Sequence, residues 1–588
     1  MSPARTSWYT ALLGVGALVA SLPLALLIGW INTRFGVDPE RAAQLAALVL
    51  VGIVAVPLGA YLAVRRRSAA PSFLALATLS ALAIELTAIQ LFSVSHFVAF
   101  PADILSWSEG EFVADILKFR VGHPLYSDPM NNESFIYPPG SQLLTYLLAS
   151  IGGHATSIPA YRIVQLFYVL AATLLAVDCV VLLVRASGRS SRVGAWWGVA
   201  LAPLLYLVAT NRLTNEFVRN LHNDALAQLL HVSAYWILLR YLLSRDRRWL
   251  LAMAILPALG FMTKQSVAIW AVLYPFQLAF FDRPRSLLRA TCLGAVAFGL
   301  IGLCVLGGHR LWGEPFLYWL FGVMGGKGVS PLRAVEHLLQ VWPYLAMGLL
   351  GGAVLMRGEA VRVLAGPWLV WLILMLASIY TSGIAWMLNH IGPASLLAAI
   401  WGLAALASVW PRDGDVPGGS TAPEAWLRPA AAAVAVFLSL QGLGVVMLPL
   451  RRLPEDALRY VREIEREFEG HRPETVLLDA GSWPYLQEGV VMRDRLAPAG
   501  DRGFVEASAL ADMVQRLDDR YYAKILVRHL HSPDLHYDSA LWPTSSGVRA
   551  AMLRNYREVR RIPAVARTPR EFGSYFLGEI SVLERRAQ

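Results

Sequence analysis

Residues 159–184 read PAYRIVQLFYVLAATLLAVDCVVLLV. A helix of roughly 20 apolar residues crosses the hydrocarbon core of a bilayer, so this segment predicts a transmembrane span. The arginines that follow it, from Arg185 to Arg192, form the kind of short basic loop that stays on the cytoplasmic side. Arg162, near the start of the segment, is therefore expected at the outer surface of the membrane.

The composition of the whole chain agrees with a membrane protein. Of its 588 residues, 56% are hydrophobic and 16% are charged, which is more apolar side chain than the core of a soluble protein could hide. By length and hydropathy we predict thirteen spans, which are 8–30, 42–64, 72–99, 159–184, 194–210, 223–243, 249–263, 264–281, 290–307, 336–356, 363–381, 392–410 and 430–450.

The short basic loops set the orientation of these spans. With the N-terminus in the cytoplasm, all of the arginine-rich loops fall on the cytoplasmic side. They are Arg65 to Arg67, Arg185 to Arg192, Arg245 to Arg248, Arg283 to Arg289 and Arg357 to Arg362. This topology explains the net charge of +10, so no nucleic-acid partner is expected. The sequence predicts a multi-pass protein of a bacterial-type inner membrane.

Three segments on the outer side are too long to be plain connections: 100–158, 308–335 and the tail from 451. Within the first, Gly140 to Ile151 is apolar but too short to cross, and we interpret it as an interfacial or re-entrant helix. Function is expected on outer loops of this size.

The tail differs in composition from the rest of the chain. Charged helical stretches such as Glu455 to Glu469 alternate with short apolar runs such as Thr475 to Leu478 and Lys524 to Val527. This alternation is typical of a small α/β domain. We therefore predict an all-α, polytopic transmembrane module over 1–450, with about thirteen helices, followed by an extracytoplasmic α/β domain over 451–588.

The first outer loop contains an acidic cluster within Trp107-Ser108-Glu109-Gly110-Glu111. If a helix begins there, Glu111, Asp115 and Lys118 share one face by their spacing, and Glu109 points elsewhere. A solvated face beside the membrane would explain Glu111 and Asp115 without any function. For Glu109 we favour function, because Gly110 allows close backbone approach.

Further polar residues occur where the predicted spans meet the outer surface. Asp224 opens a span, where the positive end of the helix dipole would stabilise a carboxylate without any function. Lys264, Arg162 and the pair Asn389-His390 provide cationic or hydrogen-bonding groups at the same level. Each could reach the lipid headgroups on its own, but together they would suit an anionic headgroup.

Several motifs, in order, resemble C-type membrane glycosyltransferases, including protein O-mannosyltransferases and lipid A aminoarabinose transferases. The resemblance covers roughly residues 72–410 and predicts a GT-C-like fold. The motifs are Trp107 to Gly110, Gly122 to Tyr126, Tyr137-Pro138-Pro139-Gly140, Arg162, Asn223 to Leu226, Thr263-Lys264-Gln265 and Asn389 to Pro393.

The resemblance implies transfer of a sugar from a polyprenyl-phosphate donor to a lipid, glycan or protein acceptor on the outer face. One carboxylate then accepts the proton of the acceptor hydroxyl while the lipid phosphate leaves. The base implied is Glu109, with Glu111 as its competitor, and Asp224 is a second carboxylate that positions acceptor or metal. The implied donor-binding residues are Lys264, Arg162, His390, Asn389 and Tyr137. Whether a divalent cation takes part stays open.

Two alternatives to an inverting glycosyltransferase remain at this point. A transporter or flippase of a lipid-linked sugar would hold its ionisable groups near the bilayer midplane and often has duplicated halves, which the sequence does not display. A scaffold that had lost its activity would act through the tail.

The loop motif departs from the family pattern in one respect. Many relatives have an Asp-Glu pair there, whereas here Glu109 is followed by Gly110-Glu111.

Overall fold

The computed structural model describes most of the chain. The described residues are 12–19, 21, 25–26, 70–105, 108–188, 197–211, 220–282, 285–384, 388–409, 455–479, 481–528, 530–531, 544–565 and 577–587. The predicted spans 42–64 and 430–450, most of span 8–30, and Trp107 lie outside them.

The first part of the chain is helical. Its helices are α1 (Ala70–Ala99), α2 (Glu109–Val121), α3 (Gly140–Ile151), α4 (Ile158–Ala186), α5 (Trp197–Ala209), α6 (Asp224–Ser244), α7 (Arg248–Thr263), α8 (Trp270–Phe280), α9 (Leu287–Trp312), α10 (Pro331–Leu355), α11 (Val361–Ser382) and α12 (Gly392–Val409). Short helical turns Glu314–Leu317, Tyr318–Val323 and Met324–Gly326 connect α9 to α10.

Six helical segments among the described residues are long and apolar enough to cross a membrane. They are Ile158–Ala186, Asp224–Ser244, Leu287–Trp312, Pro331–Leu355, Gly358–Ser382 and Leu388–Val409. Shorter apolar helices occur at Ala83–Ala99, Trp197–Ala209, Arg248–Thr263 and Gln265–Phe280. The chain is therefore a multi-pass membrane protein. The apolar segment Gly140–Ile151 is a separate short helix, as its length predicts.

The helix α12 forms the centre of the bundle. Nearly all of its side chains are buried, and it packs against α4, α5, α6, α10 and α11. In contrast, α9 lies at the periphery and exposes most of its apolar side chains. A helix that exposes apolar side chains on its outer face is suited to contact with lipid.

Charged residues collect at one end of the bundle, which we call the arginine end. Arg245 follows α6, Asp282 follows α8 and Arg289 lies in the first turn of α9. Asp282 pairs with Arg245, and its Oδ2 lies 3.7 Å from Nη1 of Arg289. These helix ends thus lie on the same side, in agreement with the predicted alternation of spans.

The residues from 455 onward contain a mixed four-stranded sheet. Its strands are β1 (Val476–Leu478), β2 (Lys524–Arg528), β3 (Tyr556–Ile562) and β4 (Ile580–Arg585), in the order β1-β2-β4-β3. The pair β1/β2 is parallel and the other two pairs are antiparallel. The helices of this part are α13 (Glu455–Arg466), α14 (Trp483–Glu488), α15 (Leu496–Val505), α16 (Ala511–Asp518) and α17 (Val548–Asn555).

Candidate functional site

A cavity of about 260 Å³ lies at the end of the bundle opposite the arginine end. It is enclosed by the start of α6, the turn between α7 and α8, the second half of α11 and the start of α12. We call it the Lys264 cavity. Its polar lining residues include Asp224, His231, Lys264, Asn389 and His390. The cavity thus joins residues from four separate parts of the sequence.

Lys264 lies at a sharp break between two helices. Its backbone is extended, with φ −157° and ψ 129°, directly after α7 ends. A 3-10 turn, Gln265–Ile269, then leads into α8. The chain reverses tightly here, because a Cβ on Gly260 would lie 2.3 Å from Cγ1 of Val267. Only glycine lets the two helices approach this closely, and the approach holds Lys264 at the cavity.

Asp224 is the centre of a buried polar network. The ammonium of Lys264 pairs with its Oδ1, and the Nδ2 of Asn389 donates to its Oδ2 at 2.9 Å. Nδ1 of His222 lies 2.7 Å from the same oxygen. Burial lowers the pKa of His222 below its ordinary value even though Asp224 opposes the shift.

The Tyr-Pro-Pro-Gly motif forms one side of this network. The ring of Tyr137 lies 5.4 Å from Nζ of Lys264 and 5.3 Å from the ring of His222. The first contact is within the range of a cation–π interaction. Asn223 links this motif to the break, since its Nδ2 donates to the carbonyls of Pro138 and Thr263 at 3.2 and 2.6 Å.

Three helices begin at the Lys264 cavity. They are α6 at Asp224, the helix Gln265–Phe280, and the helix Leu388–Val409, which includes α12. The N-terminal end of a helix carries a partial positive charge and unpaired N–H groups, so it favours an anion. Asp224 already occupies one of these ends. Together with Lys264, the other two make the cavity suitable for an anionic group.

Residues 103–105 and 108–111, which we call the acidic loop, lie in a different environment from the Lys264 cavity. Glu109 is fully buried, and Arg162 holds it with Nε to Oε1 at 2.9 Å and Nη2 to Oε2 at 2.7 Å. The backbone N–H groups of Leu105 and Leu221 also donate to this carboxylate, each at 3.0 Å. Each oxygen therefore accepts two hydrogen bonds from the protein.

Glu111 connects the acidic loop to the part of the chain that contains the sheet. Arg495 donates to it twice, from Nε at 2.8 Å and from Nη2 at 3.1 Å. Asp103 makes a second connection, accepting from the backbone N–H groups of Ser482 and Trp483 at 2.7 and 2.9 Å. Burial raises the pKa of Asp103 to about 6, although these two bonds oppose the shift.

Asp115 and Lys118 form the salt bridge that their spacing in α2 predicts, at 3.2 Å. Lys118 also donates to the carbonyls of Leu125 and Glu133, at 2.9 and 2.6 Å. Burial raises the pKa of Asp115 to about 6, although Lys118 opposes the shift. This part of α2 is buried against protein rather than solvated.

The predicted site residues thus fall into two groups. Asp224, Lys264, Asn389 and His390 line the Lys264 cavity, and Tyr137 contacts Lys264. The other predicted residues do not line the cavity. They are Glu109, Glu111 and Arg162. Buried partners hold all three groups, and the roles of Glu109 or Glu111 as base and of Arg162 as a donor-binding cation stay predictions.

The described residues contain no group of three or more His, Cys, Asp or Glu side chains placed to hold a metal ion. Asp224 is engaged by Lys264, Asn389 and His222. This arrangement does not fit a divalent cation, so no step below depends on one.

Some polar residues at the site were not assigned from the sequence, and Asn223 and His231 are among them. Asn223 was only part of a motif, and His231 lies within a predicted span. The spacing of seven residues between Asp224 and His231 could have indicated that both lie on one face of α6.

The chain is similar to several solved structures, whereas no family model and no curated protein matches it. An oligosaccharyltransferase of Archaeoglobus fulgidus tethered with an acceptor peptide has 13% identity and a TM-score of 0.48, over 84% of this chain and 80% of that chain. ArnT from Cupriavidus metallidurans bound to undecaprenyl phosphate has 14% identity and a TM-score of 0.42, over 86% and 98% of the two chains. Both are proteins of the GT-C class that the sequence resembles.

Proposed function

We propose that this protein is a membrane glycosyltransferase that takes a sugar from a polyprenyl-phosphate donor and transfers it, with inversion, to an acceptor on the outer face of an inner membrane. The observation that carries the proposal is the Lys264 cavity, where a lysine, a carboxylate and the N-terminal ends of three helices meet. A phosphate with an apolar tail matches this cavity, because its lining is cationic at Lys264 and apolar at Ile269 and Leu374.

In this proposal the donor phosphate binds to Lys264. A lysine ammonium has three hydrogens, so it can hold the phosphate and keep one bond to Asp224. His390 is half-buried in the same cavity and is available as a further donor to the phosphate. Asn389 orients Asp224 through its hydrogen bond, and Tyr137 holds the ammonium at its ring face.

Asp224 replaces Glu109 as the proposed base. The acceptor hydroxyl attacks the anomeric carbon, its proton passes to Asp224, and the bond from that carbon to the phosphate oxygen breaks. The phosphate leaves with the electron pair and is stabilised by Lys264. Donor binding also makes Asp224 more basic. A phosphate that pairs with Lys264 weakens the ion pair between the ammonium and this carboxylate.

Glu109 and Arg162 are positioning residues in this account. Glu109 accepts a hydrogen bond from the backbone N–H of Leu221, and Leu221 directly precedes the segment of His222 and Asp224. The pair therefore fixes the entry to α6 without touching the donor.

The transporter alternative gains no support from the cavity, because Asp224, Lys264 and Asn389 lie at helix ends rather than near helix midpoints. A transporter site formed by interrupted helices is expected near the bilayer midplane.

Lipid that copurifies with the protein tests the proposal. Mass spectrometry should find polyprenyl phosphate without sugar on the wild type, and the sugar-loaded lipid on Asp224→Asn, because that variant binds the donor but cannot accept the proton. Lys264→Met should carry neither lipid. The matched control Lys524→Met changes a lysine of the sheet and should carry the same lipid as the wild type.

Two results would count against the proposal. Equal amounts of sugar-loaded lipid on the wild type and Asp224→Asn would indicate a carrier rather than an enzyme. Bulk phospholipid alone on every variant would exclude a polyprenyl-phosphate ligand.

A further inference from the structure

His231 lies deeper in the Lys264 cavity than the residues discussed so far. It follows Asp224 by seven residues on α6, which is about 10 Å along the helix axis and close to the same face. Its side chain is buried, with 4% exposure, and lines the cavity. A histidine at this depth in an apolar helix is a candidate for a functional role.

Trp270 fixes the hydrogen position on this ring. The indole Nε1 of Trp270 donates to Nδ1 of His231 at 2.9 Å. Because an indole N–H can only donate, Nδ1 must be the acceptor, and the single hydrogen of the neutral ring is on Nε2. If Nδ1 were protonated, its hydrogen would face the Nε1–H of Trp270 and the hydrogen bond would be lost. His231 is thus held as a neutral donor and not as an acid or a base.

The Nε2–H group has no hydrogen-bond partner within the part of the chain that the structure describes. Because His231 lines the cavity, this N–H group is available to donate to water or to a ligand that enters there. The lining of the cavity also includes the apolar side chains Ile269, Leu374 and Ala377 on the facing helices. A ligand that supplies one oxygen acceptor beside an apolar chain would satisfy both features.

We propose that His231 is a phosphate-binding residue, held by Trp270 as an Nε2–H donor to the phosphate oxygen on the tail side of a lipid-linked donor. This inference rests on the proposed function, since it takes the polyprenyl phosphate as ligand. Lys264 binds the same phosphate from the side of Asp224. The donor is thereby oriented with its tail toward His231 and its sugar toward the acceptor.

Ligand-induced thermal stabilisation of the full chain in detergent tests this proposal. The probes are undecaprenyl phosphate, undecaprenol and inorganic phosphate. For the wild type we expect stabilisation by undecaprenyl phosphate alone. His231→Phe should weaken that binding about 10- to 100-fold, the range for one hydrogen bond to a charged group. His231→Asn, which keeps an N–H donor, should lose less.

Trp270→Phe should weaken binding in the same direction, because the hydrogen is then free to move to Nδ1. The matched control His309→Phe changes a histidine that does not line the cavity and should bind like the wild type.

The outcomes separate this inference from the proposed function. If the wild type binds undecaprenol as well as undecaprenyl phosphate, the phosphate site and the proposed function both fail. If the wild type requires the phosphate but His231→Phe, eluting as one species like the wild type, binds equally well, only the inference about His231 fails. If inorganic phosphate stabilises as strongly as the lipid, the lipid part of the proposal is overturned.

Discussion

Replacing Arg495 with methionine should weaken the attachment of the residues from 455 onward to the acidic loop. The substitution leaves Glu111, which is 2% exposed, without its two hydrogen bonds from the guanidinium. Removal of one partner from a buried ion pair costs about 3–5 kcal/mol, because an uncompensated charge stays in a medium of low polarity. Arg495 also donates to Ser482, so the upper part of this range is expected.

A double-mutant cycle isolates the ion pair from other effects of the substitution. Glu111→Gln combined with Arg495→Met removes the unpaired charge and should recover most of the lost stability. The control Arg459→Met breaks a pair in α13 whose arginine is 62% exposed, and it should change the unfolding free energy by less than about 1 kcal/mol.

Chemical unfolding of the detergent-solubilised protein gives these free energies from the shift of the midpoint at constant slope. A loss below about 1 kcal/mol for Arg495→Met would refute the structural interpretation of Glu111. A double variant no more stable than Arg495→Met would refute it as well.

Two further predictions concern Gly140, at the start of α3, and Asp103. Gly140→Ala would place a Cβ 2.5 Å from the carbonyl oxygen of Met262. We expect the unfolding free energy to fall by about 1–3 kcal/mol and undecaprenyl phosphate to bind more weakly. Unchanged thermal unfolding of this variant would contradict the prediction. The pKa of Asp103 is raised from 3.8 to about 6, so the folded state prefers the protonated form. Its contribution to the unfolding free energy should therefore decrease by about 2 kcal/mol as the pH rises from about 4 to 7. Asp103→Asn should flatten the pH profile by that amount, and a profile parallel to that of the wild type would contradict the shift.

Much of the fold could be predicted from the sequence, because span length and hydropathy are local properties. The short helix α3 occupies the predicted residues, and the end of α7 at Thr263 lies where two apolar runs meet. The strands β1 and β2 also begin within one residue of the predicted apolar runs.

The partners of the acidic loop could not be predicted in the same way. Glu109 is 53 residues from Arg162, and Glu111 is 384 residues from Arg495, so neither pair leaves a local pattern. In the sequence these carboxylates look like free charges beside a membrane span. The fold surrounds them with arginines and backbone N–H groups that no local sequence pattern indicates.

The Lys264 cavity was only partly predictable. Asp224, Lys264 and Asn389 could be grouped because each lies where a predicted span meets the outer surface. His231 could not be grouped with them on that criterion, since it lies inside an apolar span. Its role depends on the hydrogen bond from Trp270, a residue 39 positions away on another helix.

The central claim is that the donor phosphate binds in the Lys264 cavity and not beside the acidic loop. The most direct measurement is an electron cryo-microscopy structure of the full chain with undecaprenyl phosphate. We expect phosphate density within hydrogen-bond distance of Nζ of Lys264, with the tail leaving past His231. Phosphate density at the Glu109–Arg162 pair, with the Lys264 cavity empty, would contradict it.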